Sequence, residues 1–212
     1  MTENPSSSKT LIVGILALQG AYEAHAHTLR QLGAEPRLVR TPDELDGVDG
    51  LIMPGGESTT MLKFLERNGF FDVLQRFVRD TPTFGTCAGA ILLATDVQNP
   101  PQRSLGVLPM SVERNAYGRQ IDSTILESDT SLPGGPLEMV FIRAPRIRST
   151  APDVETLASR DGFPTLVRSG HILAATFHPE LSSDTRVHQL FLDTVRRHKG
   201  STETAQSIHQ AK

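Results

Sequence analysis

The sequence holds one cysteine in 212 residues, so no internal disulfide can form and a reducing compartment, the cytoplasm, is expected. No apolar run approaches the ~20 residues that a membrane-crossing helix needs. There is no basic excess either. Lys and Arg number 21 against 24 Asp and Glu, a formal charge of -3, which argues against a nucleic-acid surface. The first residues, MTENPSSSKT, lack the basic segment and apolar core of a secretory signal. What is present is ordinary globular material: 38% hydrophobic and 21% charged residues, at a length that suits one large domain with a sizeable core.

Residues 1–9 are polar and Ser-rich and are expected to be a disordered extension. Residues 200–212 have similar composition and are expected to be a flexible tail, leaving 10–199 as the folded domain. Within it, LIVGILAL (Leu11 to Leu18) is a continuous apolar run, as for a strand covered on both faces. AYEAHAHTLRQLG follows with helical spacing, then EPRLVR, GLIMP and PTFGT as further strands. TTMLKFLER, FFDVLQRFVRD and AGAILLAT read as helices. The alternation predicts an α/β fold in three layers, an open and mostly parallel sheet with helices on both faces. From Leu105 to Phe177 the segments LGVLPMSVE, QIDSTILES, EMVFIRA and TLVRSGHILAATF predict additional short mixed strands. A last helix starts near Ser183, with Val187, Leu190, Phe191 and Val195 on one face.

The lone Cys87 sits in GTCAG, on the turn between a predicted strand and a predicted helix. That glycine spacing is the spacing of a nucleophile elbow with Cys in place of Ser. Small flanking residues let backbone pass close to a strained residue. The elbow exposes the sulfur at the carboxyl end of the sheet, and a helix N-terminus favours the reactive thiolate. The plain alternative is a buried, inert cysteine.

A nucleophilic cysteine needs a base, and the base an orienting group. His25 and His27 fall on the first helix and His188 and His198 on the last, where surface or helix-packing roles are expected. His171 falls in a hairpin turn, RSGHIL. His178 ends an apolar strand and opens HPE. Pro179 biases His178 to extended backbone, which sets His178 and Glu180 on one side. Glu180 then holds one ring nitrogen while the other faces Cys87; a strand-end histidine and a surface glutamate are the alternative.

MPGGESTTM follows the third strand without the spacing or Lys of a phosphate loop. Either the Gly55 and Gly56 amides point at a developing oxyanion, or the loop is a tight turn ending in a Ser58 cap. Leu18-Gln19-Gly20 reaches the same sheet edge. Arg114 and Asn115 in VERNAYGRQIDS, and Arg143 in FIRAP, are candidates for a charged ligand or plain surface residues.

GTCAG, HPE and PGGEST together resemble the class I, triad-type glutamine amidotransferases. LALQGA, PGGESTTM, FGTCAG, ERNAYGRQIDS, FIRAP and FHPEL narrow the resemblance to glutaminase subunits of two-component pyridoxal 5′-phosphate synthases, over about Leu11 to Arg197. Tyr117 and Ile121 look like mild variations within it. The resemblance implies that Cys87 attacks the carboxamide of L-glutamine, that His178 takes the thiol proton and returns it to ammonia, and that Glu180 orients His178. It implies an oxyanion site at the amides of Gly55 or Gly56 and of Ala88, and a γ-glutamyl thioester that water hydrolyses. Gly56, Glu57, Ser58, Arg114, Ile142 and Arg143 would line the glutamine site. No metal or cofactor is expected. The implied partner is a separate (β/α)8-barrel synthase that consumes the ammonia, with Gln19 and the first helix near it. Docking would set the oxyanion loop. Three rivals stand beside this: a glutaminase serving another synthase, a cysteine peptidase or redox relative, and a binding module with a structural cysteine.

Overall fold

The computed structural model describes residues 10–114, 116 and 124–210. Strands β1 (Ile12–Leu16), β2 (Glu35–Val39), β3 (Gly50–Met53), β4 (Thr83–Thr86), β10 (Glu155–Arg160), β11 (Phe163–Ser169) and β12 (Ile172–Ala175) form one sheet. Their order is β10-β11-β12-β4-β3-β1-β2. β2, β1, β3, β4 and β12 run parallel; β11 and β10 close one edge antiparallel. β3, β4 and β12 are buried at every residue, as continuous apolar runs demand of strands covered on both faces.

Helices α1 (Tyr22–Gln31) and α5 (Arg186–Gln210) cover one face. Their Leu29, Phe191, Leu192 and Val195 cluster with Val13, Ile15, Ile52 and Phe84. Helices α2 (Ser58–Glu66), α3 (Phe70–Asp80) and α4 (Ala88–Leu93) cover the other. There Met61, Leu65, Leu74 and Leu92 cluster with Leu16, Leu51 and Met53. In α3, Phe70, Phe71, Leu74 and Val78 are buried, the one-sided stripe that amphipathic spacing produces. β5 (Ala94–Gln98), β6 (Leu108–Glu113) and β9 (Arg146–Thr150) make a small second sheet whose Val97, Leu108, Met110 and Ile147 join the α2–α4 core. β7 (Thr124–Ser128) and β8 (Leu137–Phe141) form a hairpin. Among the described residues no helix is long and apolar enough to cross a membrane.

The three-layer α/β architecture with extra short strands is the one expected. Three strands escape the sequence patterns. β5 follows α4 without a loop, so AGAILLAT reads as one helix although the backbone turns extended at Ala94 (φ -61, ψ 149). β9 and β10 carry mixed polar residues on their open sides, which blurs the alternation. α5 runs on to Gln210, through most of the segment expected as a tail. Gly200 interrupts without breaking it, and the hydroxyls of Ser201, Thr202 and Thr204 donate to carbonyls four residues back, at 2.9, 3.0 and 2.8 Å.

The elbow needs two glycines for space. A Cβ on Gly85 would lie 2.7 Å from the Gly89 carbonyl carbon, and one on Gly89 would lie 2.0 Å from the Met53 carbonyl oxygen. These contacts are backbone, so nothing flexible can yield. Gly89→Ala is therefore expected to lower the melting temperature by about 5 °C or more. Calorimetry checks it, and a melting temperature equal to that of the unaltered chain contradicts the packing argument.

Candidate active site

The loops after β1, β3, β4 and β12 meet at the carboxyl end of the parallel sheet, where open α/β folds place their sites. Cys87 occupies the β4–α4 turn with φ 46 and ψ -99. A non-glycine residue there costs roughly 1–3 kcal/mol, and only a well-determined surrounding keeps it. Here the Cys87 amide donates to the Ala175 carbonyl at 2.9 Å, and its own carbonyl accepts from Ile91 at 3.1 Å. α4 has only six residues, so the helix end behind the sulfur is short.

After β12 the chain is pinned again. The His178 amide donates to the Val140 carbonyl at 2.8 Å, which fixes the ring's approach. Glu180 follows on a 3-10 turn, Pro179–Leu181, rather than on the extended segment expected, yet its Oε1 lies 2.8 Å from His178 Nδ1. Cys87 and His178 line one cavity, where their side chains interact. Gly55 closes the arrangement. A Cβ there would lie 2.3 Å from His178 Cε1 and 3.4 Å from Cys87 Cβ, so only glycine fits beneath the imidazole.

Burial pulls the His178 pKa down, but the hydrogen bonds to Cys87 and Glu180 outweigh it and raise it to about 10. The ring carries a proton at neutral pH. Glu180 is buried, which opposes ionisation, but the electrostatic influence of the nearby His25 and the hydrogen bond and charge of His178 hold its pKa below the ordinary value. The pair is a buried imidazolium hydrogen-bonded to a buried carboxylate.

His25 and His188, expected as surface or packing residues, are both fully buried beside this pair. His25 Nε2 lies 3.4 Å from Glu180 Oε2 and 3.2 Å from Thr86 Oγ1, and its Nδ1 lies 2.9 Å from His188 Nε2. The signal was in the spacing. His188 shares its helical stripe with Phe191, Leu192 and Val195, and His25 shares one with Thr28 and Leu29. His27 is exposed, within 3.0 Å of Gln31 Nε2, and His198 rests beside His171, whose carbonyl accepts from the Thr83 amide at the start of β4, the opposite end of that strand from Cys87.

A cavity of about 250 Å3 opens onto Cys87 and His178. Gln19, Gly56, Glu57, Ser58, Arg114, Ile142 and Arg143 line it, together with Ile91, one helical turn after Cys87 and not singled out from the sequence. The volume falls below that of pockets for drug-sized ligands and suits a small polar one. Arg143 adopts φ 45, a second strained non-glycine residue at this cavity. Gly55 and Ala88 are buried beside Cys87, and Gly56 is exposed at the mouth. Asn115, Tyr117 and Ile121 lie outside the described residues.

The helix cap differs from expectation. Glu57, not Ser58, caps α2, its carboxylate accepting from the amides of Thr59 and Thr60 at 3.1 and 2.7 Å. Partial burial would raise its pKa, but the hydrogen bonds from Thr60 and Thr59 lower it to about 2. Arg114 Nη2 stands 3.6 Å from the same carboxylate and donates to Thr59 Oγ1 at 2.8 Å. Ser58 turns inward and donates to Gln102 Oε1 at 2.9 Å. The Gln19 side chain accepts from the Glu57 amide at 2.8 Å, and the Ala21 amide donates to the Gly55 carbonyl at 3.1 Å, so the loop after β1 braces the glycine loop. Among the described residues no group of three His, Cys, Asp or Glu side chains converges on a metal position.

The profile of the SNO glutamine amidotransferase family matches residues 15–197. The pyridoxal 5'-phosphate synthase subunit PdxT of Koribacter versatilis is 59% identical over 184 residues, covering 87% of this chain and 95% of that relative. The subunit of the same name from Solibacter usitatus is 51% identical over 186 residues, covering 85% and 97%. A crystal structure described as glutamine amidotransferase superposes with TM-score 0.80 at 45% identity, covering 86% of this chain and 98% of that one.

A thiol beside a protonated imidazole at an open cavity reacts quickly with small electrophiles. His178→Ala is expected to slow alkylation of Cys87 by iodoacetamide at neutral pH about tenfold. Mass spectrometry of the modified chain over time reads the rate; equal rates in both proteins would separate the two side chains.

Proposed function

The chain belongs to the SNO glutamine amidotransferase family, and from that premise we propose that it is the glutaminase subunit of pyridoxal 5′-phosphate synthase, with Cys87, His178 and Glu180 as its triad. The observation that carries the reading is the meeting of a strained thiol, a buried imidazole and a buried carboxylate at one small cavity.

With the proton on His178, Cys87 acts as thiolate and attacks the side-chain carbonyl carbon of L-glutamine. Backbone amides of Gly55 or Gly56 and of Ala88 hold the oxyanion of the tetrahedral intermediate. The carbon–nitrogen bond breaks as His178 gives its proton to the leaving nitrogen, and ammonia departs. A γ-glutamyl thioester remains on Cys87. His178, now neutral, takes a proton from water; the resulting hydroxide adds to the thioester, and the carbon–sulfur bond breaks to release glutamate. Glu180 holds Nδ1 throughout, so the opposite nitrogen always faces sulfur and substrate. Arg114, Arg143 and Glu57 put both signs of charge at the cavity wall, which suits the zwitterionic end of an amino acid. Ser58, Ile142 and Gly56 complete that wall.

The ammonia goes to a separate synthase subunit. We take that subunit to be a (β/α)8 barrel that builds pyridoxal 5′-phosphate from a pentose phosphate and a triose phosphate. Direct transfer has a physical reason, since ammonia released to neutral water is protonated and ceases to be a nucleophile. Gln19 braces the oxyanion loop from the loop before α1, so a partner docked at Gln19 and α1 can set that loop. We assign the amidotransferase unit to residues 10–199. A working free thiol suits a reducing compartment, from which we infer the cytoplasm.

Cys87→Ala is expected to abolish glutamine hydrolysis, a loss of about a thousandfold or more, while the fold and synthase binding persist. Glutamate release and co-elution with the synthase check both halves. Mixed with the synthase, glutamine and the two sugar phosphates, the unaltered chain is expected to support growth of pyridoxal phosphate absorbance, and its glutaminase rate should rise on mixing. Unchanged turnover by Cys87→Ala would overturn the mechanism, and a rate indifferent to the synthase would overturn the coupling.

A further inference from the structure

Two buried histidines are left unused by the triad, and their geometry is directional. His188 Nδ1 and Glu180 Oε2 are buried with no hydrogen-bond partner. His25 stands between the two residues, 2.9 Å from His188 Nε2 and 3.4 Å from Glu180 Oε2. Only one of the facing nitrogens of His25 and His188 can carry the hydrogen of their bond. If His188 donates from Nε2, His188 Nδ1 is a bare lone pair, His25 Nδ1 accepts, and His25 must carry its hydrogen on Nε2. That hydrogen then meets Thr86 Oγ1, on the residue before the nucleophile, at 3.2 Å, and it puts the N–H edge of the ring 3.4 Å from Glu180 Oε2, the orphaned carboxylate oxygen. The opposite assignment buries an N–H of His188 without a partner and turns a lone pair of His25 toward an anion. The first is the favoured arrangement.

We propose that His25 and His188 are positioning residues of the triad: His188 sets the tautomer of His25, and His25 presents Nε2–H to Glu180 Oε2, so that Glu180 stays ionised and aimed at His178. The line runs His188, His25, Glu180, His178, Cys87, from α5 through α1 to the elbow. The proposal rests on the triad reading given above. The titratable groups facing Glu180 are His178 beside it and His25 on α1; Cys87 and His188 stand one step beyond. β8 also packs on the 3-10 turn of Glu180, but its Glu138 is turned to the Ser182 hydroxyl at 2.6 Å. Burial keeps His25 below its ordinary pKa, so it serves as a neutral donor.

The test is steady-state glutamine hydrolysis by the complex with the synthase subunit, followed across pH, for the unaltered chain, His25→Leu, His25→Gln, His188→Leu and Cys87→Ala. Losing the donor removes an interaction made with the carboxylate form, so the Glu180 pKa rises. In His25→Leu, kcat is expected to fall about tenfold or more with KM within about twofold. The acidic limb of kcat/KM should move up by about one pH unit. His25→Gln, whose amide nitrogen reaches the place of Nε2, should recover most of the rate and the original limb. His188→Leu should move the limb in the same direction by less, and it carries the test if His25→Leu does not fold. A folded His25→Leu or His188→Leu with unchanged kcat and acidic limb overturns the proposal. A rate loss without any limb shift, equal in His25→Leu and His25→Gln, also overturns it. Turnover by Cys87→Ala would instead sink the triad reading itself.

Discussion

A carboxylate buried almost completely, Glu180, is the constraint on which the rest of the site depends. A buried charge is costly unless it is paired and hydrogen-bonded, so Glu180 dictates what surrounds it. His178 meets one oxygen and His25 faces the other. Those two residues come from a strand end and from α1, and Thr86, which His25 also touches, comes from β4. One charge thus ties three segments distant in sequence into one seam. If the seam loosens, the His178 imidazole loses the carboxylate that fixes its orientation.

Parallel topology makes this seam possible. β1, β3, β4 and β12 all end at the same edge, so four loops converge without any of them being long. Each supplies a different part: the loop after β1 supplies Gln19, that after β3 Gly55, that after β4 Cys87, and that after β12 His178 and Glu180. Close approach is bought with glycine where backbone meets backbone, and the strain at Cys87 persists because the Ala175 carbonyl on β12 holds its amide. The same strand therefore leads into His178 and locks the turn that holds Cys87.

Much of this was legible in the residues. Continuous apolar runs named the central strands, because burial on both faces leaves no room for alternation. The spacing of Gly85, Cys87 and Gly89 named the elbow, because those contacts tolerate no Cβ. Other features were hidden for physical reasons. β5 could not be parted from α4, since Ala94 and its neighbours suit either conformation and only tertiary packing decides. The cap at Glu57 was masked by Ser58, a commoner cap, whose hydroxyl is instead drawn to Gln102. His25 and His188 lay on apolar stripes, where helical spacing states that they are buried but not what they meet across the sheet. Meeting is a property of the fold, and it needs the register of α1 and α5 over β4.

Three imidazoles in that seam end in opposite states, and the cause is the order in which burial and partners compete. His188 is buried with no anion against it; burial and the neighbouring His25 push its pKa down to about 3. His25 is buried too, and the attraction of Glu180 falls short of offsetting burial, so its pKa is also lowered. His178 keeps direct bonds to Cys87 and Glu180, and these win, taking it to about 10. The linkage to stability follows with opposite signs. A histidine depressed on folding, from an ordinary 6.5 towards about 3, contributes fully above 6.5 and loses its contribution as pH falls through that window. His178, raised from 6.5 to about 10, contributes fully below 6.5 and loses its contribution as pH rises towards 10. The two slopes cross near neutrality. The seam is therefore strongest where its charges are sorted as one imidazolium, one carboxylate and two neutral rings, which is also the arrangement in which a proton stands ready beside the sulfur.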